Sequence, residues 1–312
     1  MVNSNISFFN GFVLLGFSGH PLLEMILFVI IVIFYLLTLL GNMAIIILAS
    51  LDSRLHTPMY FFLSHLSFMD LCYTTSTVPQ LLFNLKGPVK KITYVGCVGQ
   101  LYVALAMGST ECILLAVMAI DRYAAICKPL HYAIIMHPRF CLQLAAMTWL
   151  TGLTNSLVQT VLITQVPLCG QNIIDHVFCE VPVLLKLSCV DTTANQMELF
   201  LVSAFLLLVP LSLILISYGF IAHAVWKISA SEGRQKALGT CTSHLVVVFL
   251  FYGTATAMYL KPTPTTSQNQ DKFMALFYGV VTPTLNPFIY TLRNKDMKGA
   301  LRKMKGKSKE KG

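Results

Sequence analysis

Seven apolar runs, each long enough to cross a lipid bilayer, constrain this chain more than any other feature. A crossing helix needs about 20 apolar residues at 1.5 Å rise each. Such runs fall at roughly 24–49, 58–80, 95–127, 140–161, 197–225, 238–260 and 272–292. Only 11% of the 312 residues are charged and 56% are hydrophobic, against about 25% charged in a soluble globular chain. Too few charges exist to coat a water-facing surface of this size. The expected fold is all-α, a seven-transmembrane helix bundle forming one domain over residues 1–312. The seventh run carries Pro283 and Pro287, so backbone carbonyls freed there have to be satisfied by neighbouring helices.

An odd number of crossings puts the two ends on opposite sides, and the distribution of Lys and Arg decides which is which. With the N-terminus outside, sixteen of the 22 basic residues face the cytoplasm, nine of them between Arg293 and Lys311. Residues 1–23 then form an uncharged extracellular tail, which lacks the basic region of a cleavable signal peptide, so the first span serves as its own targeting signal. Asn5-Ile6-Ser7 is a glycosylation acceptor in that tail. The basic tail 293–312 is expected to open with a short amphipathic helix and to lie against membrane lipid or an acidic partner. The net charge of +9 therefore gives no reason to invoke nucleic acid.

Of the nine cysteines, Cys72, Cys112, Cys127, Cys141 and Cys241 fall within or at the inner ends of spans and read as small buried hydrophobes. Cys97, Cys169, Cys179 and Cys189 fall outside, where four cysteines in an oxidising compartment allow three pairings. The run His176-Val177-Phe178-Cys179-Glu180 carries metal-ligating residue types, a reading that fails if Cys179 is in a disulfide.

An ionisable residue inside a span is costly and marks function. Asp70 and Glu111 have no Lys or Arg at matching depth, so they either share a proton or enclose a sodium-type cation, with Asn286 and Ser109 nearby. The plainer alternative is a pair of neutral carboxyls that hydrogen-bond helices together. Arg122, eleven residues after Glu111 and about 16 Å further along a helix, reaches the inner headgroup level. An anchor gains little from the adjacent Asp121, which cancels its charge; a rim ion pair that can break is a switch.

The motifs LHTPMYFFLSHLSFMDLC (55–72), MAIDRYAAICKPLHY (118–132), SY (217–218), KALGTCTSH (236–244) and PTLNPFIYTLRN (283–294) complete the pattern. With them the chain resembles the rhodopsin-like G-protein-coupled receptors and, within these, the olfactory receptors, over the stretch from Gly41-Asn42 to Arg293-Asn294. Departures are mild: Ile120, Ala124, Leu238-Gly239 and Thr284 stand where Tyr, Val, Phe-Ser and Met are usual. Phe251-Tyr252-Gly253 replaces the Trp-Pro hinge of the wider class, so Tyr252 looks like the olfactory version of that hinge.

This resemblance implies an odorant receptor in the plasma membrane of olfactory sensory cilia. It would couple to a heterotrimeric stimulatory G protein and raise cyclic AMP, and it is not an enzyme. Asp121, Arg122 and Tyr123 would hold the switch, with Tyr218, His244, Asn286, Pro287 and Tyr290 rearranging around it. Asp70, Glu111 and Asn286 match the sodium-linked polar core of the class, and no other cofactor is implied. Cys97 with Cys179 matches the class-wide disulfide, and Cys169 with Cys189 the additional bridge of olfactory receptors.

On the third span Ala104, Leu105, Gly108 and Ser109 share one helical face. By position in the family this face meets Val202, Ser203 and Leu206, then Tyr252, Ala255 and Tyr259, and Leu276 and Gly279. Amine receptors place an acid where this chain has Ala104, so the expected ligand is a small neutral or weakly polar volatile. An ion-coupled transporter or channel is the rival reading, since intramembrane acids and a broken helix also suit ion coupling; the odd span count and the absence of paired broken helices weigh against it.

Overall fold

The computed structural model describes residues 10–169, 172–227, 231–260, 268–293, 297 and 299. Proline at the first helical position, where a missing N–H costs nothing, opens three of the long helices: Pro21–Leu51 (α1), Pro58–Lys86 (α2) and, after the short α4 defined below, Pro138–Gln165 (α5). Tyr94–Cys127 (α3) begins at Thr93, whose side chain accepts from the Gly96 N–H. A single turn at Tyr132–Ile135 (α4) follows α3, and Val181–Leu185 (α6) precedes Thr193–Trp226 (α7). Ser231–Tyr259 is α8. Gln268–Leu276 (α9), the π-helical turn Phe277–Val281 and Thr282–Arg293 (α10) form one continuous rod.

Four helices among the described residues, Pro21–Leu51, Tyr94–Cys127, Thr193–Trp226 and Cys241–Tyr259, are long and apolar enough to cross a membrane. Helix α2 is of similar length but less apolar, because Ser67, Asp70, Thr74, Thr77 and Asn84 turn inward and are buried. Helix α3 is the central post, packing against α2, α5, α7 and α8. Its contact with α5 is close enough that a β-carbon on Gly152 would sit 2.0 Å from Thr110 Oγ1, so only glycine fits. The expected short helix after residue 293 lies outside the described residues except for Met297 and Gly299, both helical, and Asn5 lies outside them as well.

The prolines of the last rod show how its backbone is satisfied. Pro287 cannot donate to the carbonyl of Pro283, and Asn42 Nδ2 of α1 donates there instead at 3.2 Å. A β-carbon on Gly41 would be 2.8 Å from the Pro287 ring, so glycine lets α1 approach. One register step earlier the Thr282 N–H bonds back to Phe277 O, the i→i−5 bond of a π turn.

The end of the bundle opposite Arg122 is capped by a three-stranded sheet. Strand β1 (Gly11–Leu14) pairs antiparallel with β2 (Lys91–Thr93) and parallel with β3 (Ile173–Ile174). Residues 10–23 are therefore not a free tail: Phe12, Leu14 and Phe17 are buried. Lys272, at the start of the seventh apolar run, is also buried, donating to Gly16 O at 2.7 Å and pairing with Asp175. Disulfides join Cys97 to Cys179 and Cys169 to Cys189, the first tying the long loop between α5 and α7, residues 166–192, to the sheet end of α3.

Candidate functional site

A cavity of about 120 Å³, measured as the space open to the centre of a water-sized sphere, lies between α2, α3, α5, α7, α8 and the last rod. One water needs roughly 10–15 Å³ on that scale, so several non-hydrogen atoms of a ligand fit. Of the residues expected to line a pocket, the cavity wall contains Ala104, Leu105, Gly108, Ser109, Val202, Ser203, Leu206, Ala255 and Tyr259. The remaining three stand elsewhere. Tyr252 donates to Cys112 O at 2.6 Å, behind its neighbour Phe251, which does line the wall. Leu276 packs with Phe17, Ile31 and Val78. Gly279 faces Phe178 and Tyr73, 3.0 and 3.1 Å from where its β-carbon would be. Gly279 lies within the π turn, whose extra residue breaks the 3.6-residue phase, and Tyr278 of the same turn presents itself to the cavity instead.

Polar groups that sequence reasoning did not assign to the pocket fix its shape. Asn155 Nδ2 donates to Ser109 Oγ at 2.9 Å, and Gln159 Nε2 donates to Glu198 Oε1 at 2.8 Å. The Tyr278 hydroxyl donates to Glu180 of the long loop. Asn155, Gln159 and Glu198 are polar residues inside apolar runs, which is the only signal the sequence carries for them. The run His176 to Glu180 is divided among separate partners: His176 Nδ1 accepts from the Phe178 N–H at 3.3 Å, Cys179 is bonded to Cys97, and Glu180 takes Tyr278.

At the cavity floor stand Asp70 of α2 and Glu111 of α3, the latter seven residues after Ala104 and so about 10 Å deeper along α3. Sequence treats the pocket and the acidic pair as two places; the folded chain makes them one cavity. The Asp70 carboxylate accepts from Asn286 Nδ2 at 3.0 and 3.3 Å. Glu111 Oε1, Asn286 Oδ1 and the Tyr290 hydroxyl are buried without a hydrogen-bond partner, an oxygen-rich set that suits a small cation or a proton.

Further along α3, the Arg122 guanidinium bonds Asp121 through Nε at 3.1 Å and through Nη2, and the other Asp121 oxygen accepts the Tyr132 hydroxyl at 2.7 Å. Burial and the Asp121 carboxylate both raise the Tyr132 phenol above its usual range, keeping it a donor. His244 Nε2 donates to Leu115 O at 3.1 Å, which leaves Nδ1 to accept the Tyr218 hydroxyl at 2.9 Å. Tyr123 packs with Tyr218 against Ile221, Val225 and Cys241, its ring 5.8 Å from that of Phe220. Pro287 and Tyr290 lie on the last rod, Pro287 against Gly41 and Tyr290 in the core with Leu63 and Leu66.

The profile of the family described as "Olfactory receptor" matches residues 31–307. This chain belongs to the olfactory receptor family. Olfactory receptor 2G6 of Homo sapiens is 62% identical over 302 residues, covering 97% of this chain and 96% of the relative. Olfactory receptor 2G3 of Homo sapiens is 61% identical, covering 94% and 95%. Olfactory receptor 2B6 of Mus musculus is 57% identical, covering 96% of each. The receptor is a multi-pass membrane protein of a sensory family, not an enzyme. Its cavity, acidic floor and ion-paired rim are aligned along one helix, α3.

Proposed function

We propose that this receptor is an odorant receptor of the plasma membrane, expected in the cilia of olfactory sensory neurons. Its seven spans enclose the cavity, and its N-terminus and sheet lie outside. The ligand is a small neutral or weakly polar volatile. The observation that carries this reading is the cavity wall: apolar side chains dominate it, with Ser109, Ser203 and Tyr259 available for a hydrogen bond, and the carboxyls nearest the ligand lie at the floor, not beside Ala104.

Ligand binding shifts a two-state equilibrium only through its different affinity for the two states. Tyr252, bonded to Cys112 O, and the Tyr218–His244–Leu115 chain link α7 and α8 to α3, so a displaced α8 exchanges both sets of bonds. Freed from Asp121, Arg122 then meets a stimulatory G protein at the cytoplasmic rim, and cyclic AMP rises. Asp70, Glu111 and Asn286 would hold a sodium ion in the resting state or share a proton; bound there, the ion would supply positive charge between the two carboxyls. A panel of volatiles screened against the expressed receptor with a cyclic AMP readout tests the proposal. Responses to neutral volatiles are expected, and a receptor at the cell surface that answers none of them, or answers amines first, refutes it.

A further inference from the structure

A second hollow of about 600 Å³ lies on the outside of the bundle between α5 and α7, lined only by residues of these two helices. Its rim is apolar: Leu150, Leu201 and Phe205 are 65%, 59% and 66% exposed. Its inner wall consists of Asn155, Val202 and Leu206, and the same three side chains form part of the wall of the ligand cavity. Three side chains therefore separate the membrane-facing crevice from the binding site. Helices α5 and α7 each pack along α3 but scarcely against each other. One turn toward the sheet end they are clasped by Gln159 and Glu198, which leaves the stretch below the clasp closed by the three side chains alone. Asn155 is fixed in this partition by its bond to Ser109, a cavity wall hydroxyl.

Toward the sheet end the loop between α5 and α7 packs down onto α3 and the cavity wall. Phe178 and Cys179 of the long loop are 2% and 1% exposed, Cys179 is pinned to α3, and Glu180 holds Tyr278 of the cavity wall. A neutral aliphatic ligand is also concentrated in the bilayer, since each methylene favours it about fourfold over water.

The geometry points to a lateral portal: the receptor's neutral, apolar ligand enters from the bilayer through the α5–α7 crevice and passes between Asn155, Val202 and Leu206 into the cavity. The inference rests on the proposed ligand class. A displaced Val202 or Leu206 rotamer opens the way, and a ligand hydroxyl that engages Ser109 competes with Asn155 for it, coupling arrival to the state of the gate.

The test uses full-length receptor in lipid nanodiscs and tritiated 1-octanol as the probe. Specific uptake is the saturable part that a cavity-filling Gly108→Phe variant lacks. Thr154→Trp and Leu201→Trp fill the crevice from opposite sides without touching the cavity wall. Each is expected to slow both uptake and release about tenfold and to leave the dissociation constant unchanged, because a plug alters the barrier and not the end states. Leu157→Trp, on the exposed side of α5 outside the crevice, should leave both rates as they are. Unchanged rates in both plugged variants, or no saturable octanol site in the parent, overturn the portal. The functional reading fails separately: a receptor that fills through the crevice but raises no cyclic AMP with any volatile refutes that reading alone, while cyclic AMP responses with unslowed plugs refute the portal alone.

Discussion

Replacing Gly108 by leucine fills open space in the cavity, since a β-carbon at Gly108 meets nothing within 4 Å. The four carbons of the new side chain extend into a space of about 120 Å³ and exclude a comparable number of ligand atoms. At about 0.3 to 1.5 kcal/mol per ligand atom, the loss is about 1 to 6 kcal/mol for an agonist that filled the site. A central value of about 3 kcal/mol weakens binding roughly 150-fold. A shorter agonist loses nothing, because the leucine occupies what its missing carbons left empty. The assay is a homologous series of aliphatic alcohols or aldehydes, with half-maximal concentrations for cyclic AMP in parent and variant. The preferred chain should shorten by about three or four carbons. A uniform loss of potency at every length would refute the reasoning, since it would mean a damaged receptor and not a smaller cavity.

Arg122→Ala should remain at the cell surface and lose odorant-evoked cyclic AMP, as Tyr132 still holds Asp121; an unchanged response overturns the switch. Asn42→Ala strips the donor from Pro283 O and should lower the stability of purified receptor by about 1 to 3 kcal/mol in a thermal melt, whereas an unmoved melting curve means the carbonyl has another partner. Gly152→Val forces α3 and α5 apart at the Thr110 contact; it should cost about 1 to 3 kcal/mol or more by overpacking and reduce surface expression, and normal expression would contradict the close approach.

The long helices are legible in sequence because lipid-facing helices have to be apolar; most runs and helices agree within about four residues at each end, but α2 runs on to Lys86 and α8 begins at Ser231, where polar residues continue the helix. The wall residues from Ala104 to Ser109 are legible for a related reason: α3 is regular, so one face follows from spacing. Legibility fails where the period breaks. The π turn at Phe277–Val281 puts Tyr278 on the cavity and Gly279 away from it, and no composition signal marks that extra residue. Strand β1 fails for a different reason. Phe12 and Leu14 alternate with partly exposed neighbours, but four residues are too few to identify a strand, and the partners that make it one start at Lys91 and Ile173. Gln159 and Glu198 meet across two helices, a pairing set by tertiary packing alone.

The bond from Asn42 to Pro283 also has a consequence for the order of synthesis. Its two residues are 241 positions apart, so at about 5–20 residues per second the ribosome takes roughly 12 to 48 s to supply the acceptor after the donor has emerged. Through that interval α1 holds an amide in the bilayer whose inter-helix partner does not yet exist, and the last rod, once made, has a bare carbonyl until it finds α1. The first and last helices therefore complete each other, and receptor biogenesis in the membrane has to keep the earliest segment waiting for the latest.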